Sequence, residues 1–165
     1  MAAATALVER ARARFAAELT PVLTHRDIKP GNVLLDATGP VLLDWDGAGP
    51  DFAQWEVVRT ALSFSAAGAG WDGAAFQQVV TAYRAAGGRR VPGTPAVLAG
   101  VPHALLTAAQ WLLWRALGHR PVTPAEQAAS ATGTIAQLDQ LRLALASLET
   151  WSTLLREVDD AVPGR

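Results

Sequence analysis

His25-Arg26-Asp27-Ile28-Lys29-Pro30-Gly31-Asn32 is followed, twelve residues after Asn32, by Asp44-Trp45-Asp46. The residues between are apolar around a Gly-containing turn. Val33-Leu34-Leu35 and Val41-Leu42-Leu43 flank Asp36-Ala37-Thr38-Gly39-Pro40. Two short apolar runs around such a turn predict a β-hairpin. A hairpin folds back on itself, so Asn32 and Asp44 finish near each other in space. Two oxygen ligands at a hairpin mouth suit a hard cation such as Mg2+, which takes one or two protein oxygens plus phosphates and water. Asp27, on the loop just before, is placed to take a proton from a hydroxyl.

These residues resemble the catalytic and metal loops of the protein-kinase-like superfamily, H-R-D-x-x-x-x-N followed by an Asp-led motif. The nearer resemblance is to small-molecule kinases of the aminoglycoside phosphotransferase type, with Asp44-Trp45-Asp46 standing where protein kinases have Asp-Phe-Gly. The match covers about residues 22–58. It implies that Asp27 is the catalytic Asp, which orients or deprotonates the acceptor, and that Asn32 and Asp44 ligate Mg2+ on the phosphates of ATP. It implies that Lys29 approaches the transferred phosphate. Around them it implies a buried bracing role for His25 and a loop-bracing acid at Glu56. Asp46 either touches a second metal or its water shell, or caps the loop. Arg26 in the protein-kinase form reads a phosphate on the activation segment. No Ser, Thr or Tyr lies between Asp44 and Arg59, so Arg26 is expected to pair with Asp51 or Glu56.

The chain has 165 residues, half of them hydrophobic and 18% charged, which suits a globular unit with a real core. A net charge of −1 argues against general affinity for nucleic acid or membrane. Cysteine is absent, excluding disulfides and thiolate chemistry. Glu9, Arg10, Arg12 and Arg14 interrupt any signal-peptide core, and no run is read as approaching the ~20 apolar residues of a membrane span. A cytoplasmic location follows as the expectation.

Lys29 is the only lysine; the other 13 basic residues are Arg. A complete kinase needs a further lysine on an N-terminal strand and a Gly-rich loop over the nucleotide phosphates. Only 24 residues precede His25. Gly47-Ala48-Gly49 and Gly68-Ala69-Gly70 lack phosphate-loop spacing, and neither is read as sitting between strands. The expected fold is therefore mainly α with a small β-hairpin: one kinase-like C-terminal lobe over 1–165, its N-terminal lobe absent. Catalytic and metal loops occupy 22–58, and a helical subdomain occupies 59–165.

Leu7, Val8, Ala11, Phe15 and Leu19 form an apolar stripe that predicts a helix over 3–19, with Glu9–Arg12 and Arg14–Glu18 as side-chain pairs. Thr20-Pro21 ends it, and Val22-Leu23-Thr24 enters the loop as a strand. Gly47 to Asp51 reads as a loop. Helices follow over 52–65, 72–86 with Asp72 as N-cap, 96–117 with a fresh start after Pro102 as the alternative, and a long helix or helix pair from 125 to about 160. Within 96–117, Leu105, Leu106, Ala109, Leu112, Leu113, Ala116 and Leu117 are expected inward, and Trp111 and Trp114 in core or interface packing. Thr123-Pro124 opens the last helix, which Gly133 is expected to kink, and Pro163-Gly164-Arg165 reads as a frayed tail.

The chemistry implied is ATP-dependent phosphorylation of a small-molecule hydroxyl, on an antibiotic or a metabolite, weakened by the missing lobe. The alternative is a non-catalytic kinase-like module or fragment that docks a partner or ligand. From Gly73 to Ala125 there is no Asp or Glu and there are five Arg. That region would not attract a polycationic acceptor, so a neutral or anionic alcohol competes with an aminoglycoside. The uncovered hairpin and N-terminal helix are expected to drive self-association or binding of a separate N-terminal lobe.

Overall fold

The computed structural model describes residues 6, 8–14, 21–68, 70–120 and 122–161. Residues 8–14 are helical (α1) and bury Val8 and Ala11. The remaining stripe residues Leu7, Phe15 and Leu19, the Arg14–Glu18 pair and the tail at 163–165 lie outside the described residues. Arg12 does not pair with Glu9. Its guanidinium lies over the Trp55 ring, 5.4 Å from the centroid, with Nη2 3.3 Å from His103 Nε2.

Strand β1 (Val22–Thr24) leads into the polar loop, and β2 (Val33–Asp36) pairs antiparallel with β3 (Gly39–Leu42) in the predicted hairpin. The Asp36 carboxylate accepts from the N–H of Thr38 and of Gly39 and from the Thr38 hydroxyl, closing the turn. Gly39 has φ 127°, which a side chain would disfavour.

One expected loop is a strand. Gly49–Asp51 (β4) pairs antiparallel with β1, Thr24 facing Gly49. Gly and Pro are poor strand formers, which hid it. In a two-stranded ribbon Pro50 can turn its nitrogen, which carries no N–H, away from the ladder at no cost. The buried Thr24 hydroxyl donates to Gly49 O.

Helix α2 (Ala53–Phe64) follows and carries the core. Trp55, Val58 and Ala61 are fully buried on it. Trp55 donates its indole N–H to Ala96 O and meets Phe52 edge-on. Two-residue strands β5 (Ala66–Ala67) and β6 (Gly70–Trp71) then pair. Gly68 therefore does lie in a turn between strands, contrary to the sequence reading, and its φ of 58° suits that turn.

Helix α3 (Gly73–Ala85) is capped as predicted: the Asp72 carboxylate accepts from the N–H of Ala74 and Ala75. The expected helix over 96–117 is two helices, α4 (Pro95–Leu98) and α5 (Gly100–Ala116). Gly100 sits where α5 crosses Trp55, and a Cβ there would lie 2.6 Å from the indole ring. Pro95–Ala116 is long and apolar enough, by length and composition, to cross a membrane, which the sequence reading did not register. Its main packing partner is α6 (Pro124–Ala161).

Helix α6 runs unbroken past Gly133. The glycine makes room for a neighbour, since a Cβ there would come within 3.2 Å of Leu112 on α5. At the start of α6, Glu126 accepts from the Thr123 N–H and donates its own N–H to the Thr123 hydroxyl, a reciprocal capping box. Leu141, Trp151 and Leu155 of the predicted stripe are buried, and Trp151 meets Trp71 edge-on. Ala109 is buried on α5, but Leu113 and Leu117 are exposed rather than inward. Trp111 and Trp114 are also exposed, each with a guanidinium over its ring: Arg115 on Trp111 and Arg120 on Trp114. The chain is thus mainly helical, with three small antiparallel ribbons among the described residues.

Candidate active site

The loop between β1 and β2 turns sharply at Arg26, whose φ is 70°. Three neighbours hold that turn. The Glu56 carboxylate on α2 accepts the Arg26 N–H at 2.7 Å. The Arg26 guanidinium donates to Pro50 O on β4, crossing Gly49, where a Cβ would meet the guanidinium at 2.9 Å. His25 is buried beneath; its Nε2 lies 2.7 Å from Leu43 O, and its Nδ1 accepts the Asp27 N–H at 3.3 Å. That sets the tautomer with the proton on Nε2. Trp45 covers His25 edge-on at 4.8 Å.

The expected ion pair between Arg26 and Asp51 or Glu56 is not formed. Glu56 engages the Arg26 main chain, and Asp51 pairs with Arg59, both guanidinium Nη atoms lying 3.1 Å from Asp51 Oδ2. Arg59 was not singled out from sequence. Its position one helical turn beyond Glu56 on α2 was the available signal.

Asp27 Oδ2 accepts from Lys29 Nζ at 2.7 Å and from Asn32 Nδ2 at 3.0 Å, and Asn32 Nδ2 also donates to Asp27 O at 2.9 Å. Both donors use one oxygen, and Asp27 Oδ1 accepts no hydrogen bond among the described residues. The buried Asn32 amide is oriented by these two donations, which leaves its Oδ1 as an open acceptor. Asn32 O accepts the Leu43 N–H at 2.8 Å, so the residue next to Asp44 is clamped across the hairpin mouth from Asn32. Asp44 has a left-handed backbone (φ 62°, ψ 65°) and an exposed carboxylate with no hydrogen bond or ion pair among the described residues. Asp46 is exposed in the 3-10 turn Trp45–Gly47.

The donor set fits a hard cation: one oriented amide oxygen and one unpaired carboxylate, carried at the same end of one hairpin. Among the described residues no three His, Cys, Asp or Glu side chains converge, so an ion here would complete its shell with phosphate oxygens and water, as Mg2+ does.

The Asp27 loop is thus clamped to a hairpin that carries an amide and a carboxylate at one end. The family model of the Phosphotransferase enzyme family matches residues 2–91, which contain all of it, and the chain belongs to that family. No curated protein and no solved structure matches the chain.

Proposed function

We propose that this chain transfers the terminal phosphoryl group of ATP to a hydroxyl of a small molecule. The observation that supports this reading is the arrangement of Asp27, Lys29 and Asn32 around one carboxylate oxygen, with Asp44 at the same hairpin mouth. Asp27 Oδ1 orients the acceptor hydroxyl and takes its proton. Asn32 Oδ1 and the Asp44 carboxylate hold Mg2+. Lys29, already beside Asp27, offsets negative charge on the group in transit. Mg2+–ATP, when bound, supplies the phosphoryl group and the charge neutralisation that its transfer requires. His25, Arg26 and Glu56 keep the loop in place, and Asp46 stands in the outer shell.

On this reading the chain is one C-terminal lobe of a kinase-like fold, working in the cytoplasm, where ATP is available. Lys29 lies beside Asp27, and these 165 residues hold no second lysine to clamp the nucleotide. Transfer by this chain alone is therefore slow, and Mg2+–ATP binds more weakly than micromolar. A separate N-terminal lobe that supplies such a lysine would raise both. The second reading, a non-catalytic module that docks a partner, draws on the exposed apolar hairpin: Leu34, Leu35, Val41 and Leu43 all face solvent.

The test is transfer of label from γ-labelled ATP, with Mg2+, to a panel of neutral, anionic and cationic alcohols, run beside Asp27→Asn. The expected result is slow, Mg2+-dependent labelling that Asp27→Asn abolishes. Labelling that Asp27→Asn leaves unchanged, or none with any acceptor, overturns the proposal.

A further inference from the structure

Among the exposed apolar surfaces of the described residues, two carry opposite charge. The first is one face of the hairpin. Leu34 lies opposite Val41 in the register, and Leu43 follows on the same face. Leu34 is 53% exposed and Leu43 43%. Asp36, two residues beyond Leu34 on β2, shares that face, and Asp44 and Asp46 follow Leu43 in the chain; all three are exposed. Over residues 22–48 there are four carboxylates against two cations, Arg26 and Lys29.

The second patch is the solvent face of α5 at its C-terminal end. Trp111 and Trp114 are one turn apart, and Leu117, 63% exposed, continues the patch. Arg115 lies 4.7 Å from the Trp111 centroid and Arg120 lies 5.2 Å from that of Trp114, while His119 stacks on Trp114. Glu126 approaches Arg115 at 3.7 Å, but Arg120 forms no ion pair among the described residues. No acid occurs between Gly73 and Ala125.

We propose that the chain self-associates head to tail, the hairpin face of one copy seating on the Trp111–Trp114 face of the next. Burying both patches removes apolar surface from water, which is the main drive for association. The indole rings supply large rigid contact area, and the guanidinium rim meets the hairpin carboxylates. Pairing like with like is disfavoured on both sides. Hairpin on hairpin would bring Asp36, Asp44 and Asp46 of two copies together, and α5 on α5 would oppose Arg115 and Arg120. A contact between two different faces is heterologous, so it propagates into a ring or an open chain of copies rather than stopping at a symmetric pair.

The experiment is light scattering on the full chain across a concentration series, at low and high salt, with Leu34→Lys and Trp114→Glu. Circular dichroism checks that each is folded, with Val41→Lys and Arg120→Glu as substitutes for either. The wild type is expected to grow in mass with concentration, less so at high salt, since exposed charges are screened. Each variant keeps one intact face and is expected to be monomeric alone. Mixing the two restores a single native contact and is expected to give a 1:1 dimer and nothing larger. A monomeric wild type overturns the proposal, as does either variant associating by itself, or a mixture that stays monomeric.

Discussion

The Glu56 carboxylate accepts the main-chain N–H of Arg26 at 2.7 Å, joining the first turn of α2 to a residue held at φ 70°. A non-glycine residue in that region costs on the order of 1 kcal/mol, and the hydrogen bond helps offset it. Asp27 is the next residue, so the bond also fixes the path of the proposed catalytic carboxylate.

Glu56→Ala is therefore expected to destabilise the fold by about 1 kcal/mol, the usual net value of one hydrogen bond at a partly exposed site. Glu56→Gln keeps an acceptor and should lose less. Urea unfolding of the two variants beside wild type gives the ranking. A Glu56→Ala protein as stable as wild type would show that Arg26 does not depend on this contact.

His103 makes stability depend on pH. Its Nε2 faces the Arg12 guanidinium, which can only donate, so the imidazole is held neutral as an acceptor. Burial lowers its pKa first, and Arg12 lowers it further. Arg59 and Arg26 act in the same direction, and Asp51 acts against them. The folded state thus binds the proton less readily than the unfolded chain. The contribution is complete above the unfolded value of about 6.5 and is lost as pH falls below it toward the lower folded value. Urea unfolding at pH 7.5 and 5.5 is expected to show a loss in wild type that is smaller in His103→Gln. Equal losses in the two proteins would remove His103 from the account. Asp36 and Glu126 act in a separate window. The Thr38 hydroxyl, first among its partners, lowers the Asp36 pKa, and the Thr123 N–H lowers that of Glu126. Their contributions are complete above the ordinary carboxylate range and fade only below it.

The hairpin, the Asp72 cap and the Thr123-Pro124 helix start were legible because each is a local rule: apolar runs about a turn, a side-chain oxygen before a helix, a proline at its first position. The spacing of Asp27, Asn32 and Asp44 was equally local, since the hairpin between them does the folding back. What escaped depends on distant partners. Arg12 turns from Glu9 to Trp55 and His103, 91 residues from Arg12 in the chain. Gly49-Pro50-Asp51 becomes a strand because β1 is there to pair with it. Leu113 and Leu117 fit an apolar stripe by periodicity, yet α6 covers a different side of α5, and periodicity alone does not say which flank of a broad stripe finds a neighbour.

Asp51 and Arg59 form the most enclosed ion pair among the described residues, with side chains 3% and 13% exposed. Asp51 ends β4, and its Oδ1 accepts the Phe52 N–H at 2.9 Å, so one carboxylate both closes the strand and binds α2. Arg59 Nε is buried and has no partner among the described residues. Removing one member of such a pair strands a buried charge, which costs about 3–5 kcal/mol, whereas replacing both with apolar groups of similar size is often neutral. Asp51→Ala is thus expected to lower stability by about 3 kcal/mol. Arg59→Met in that background is expected to recover most of the loss, because the stranded guanidinium is gone and the methionine fills its channel. Urea unfolding of the two single variants, the double variant and wild type closes the cycle. Single and double losses that simply add would show that Asp51 acts only through its bond to Phe52 and that the pair contributes no coupling.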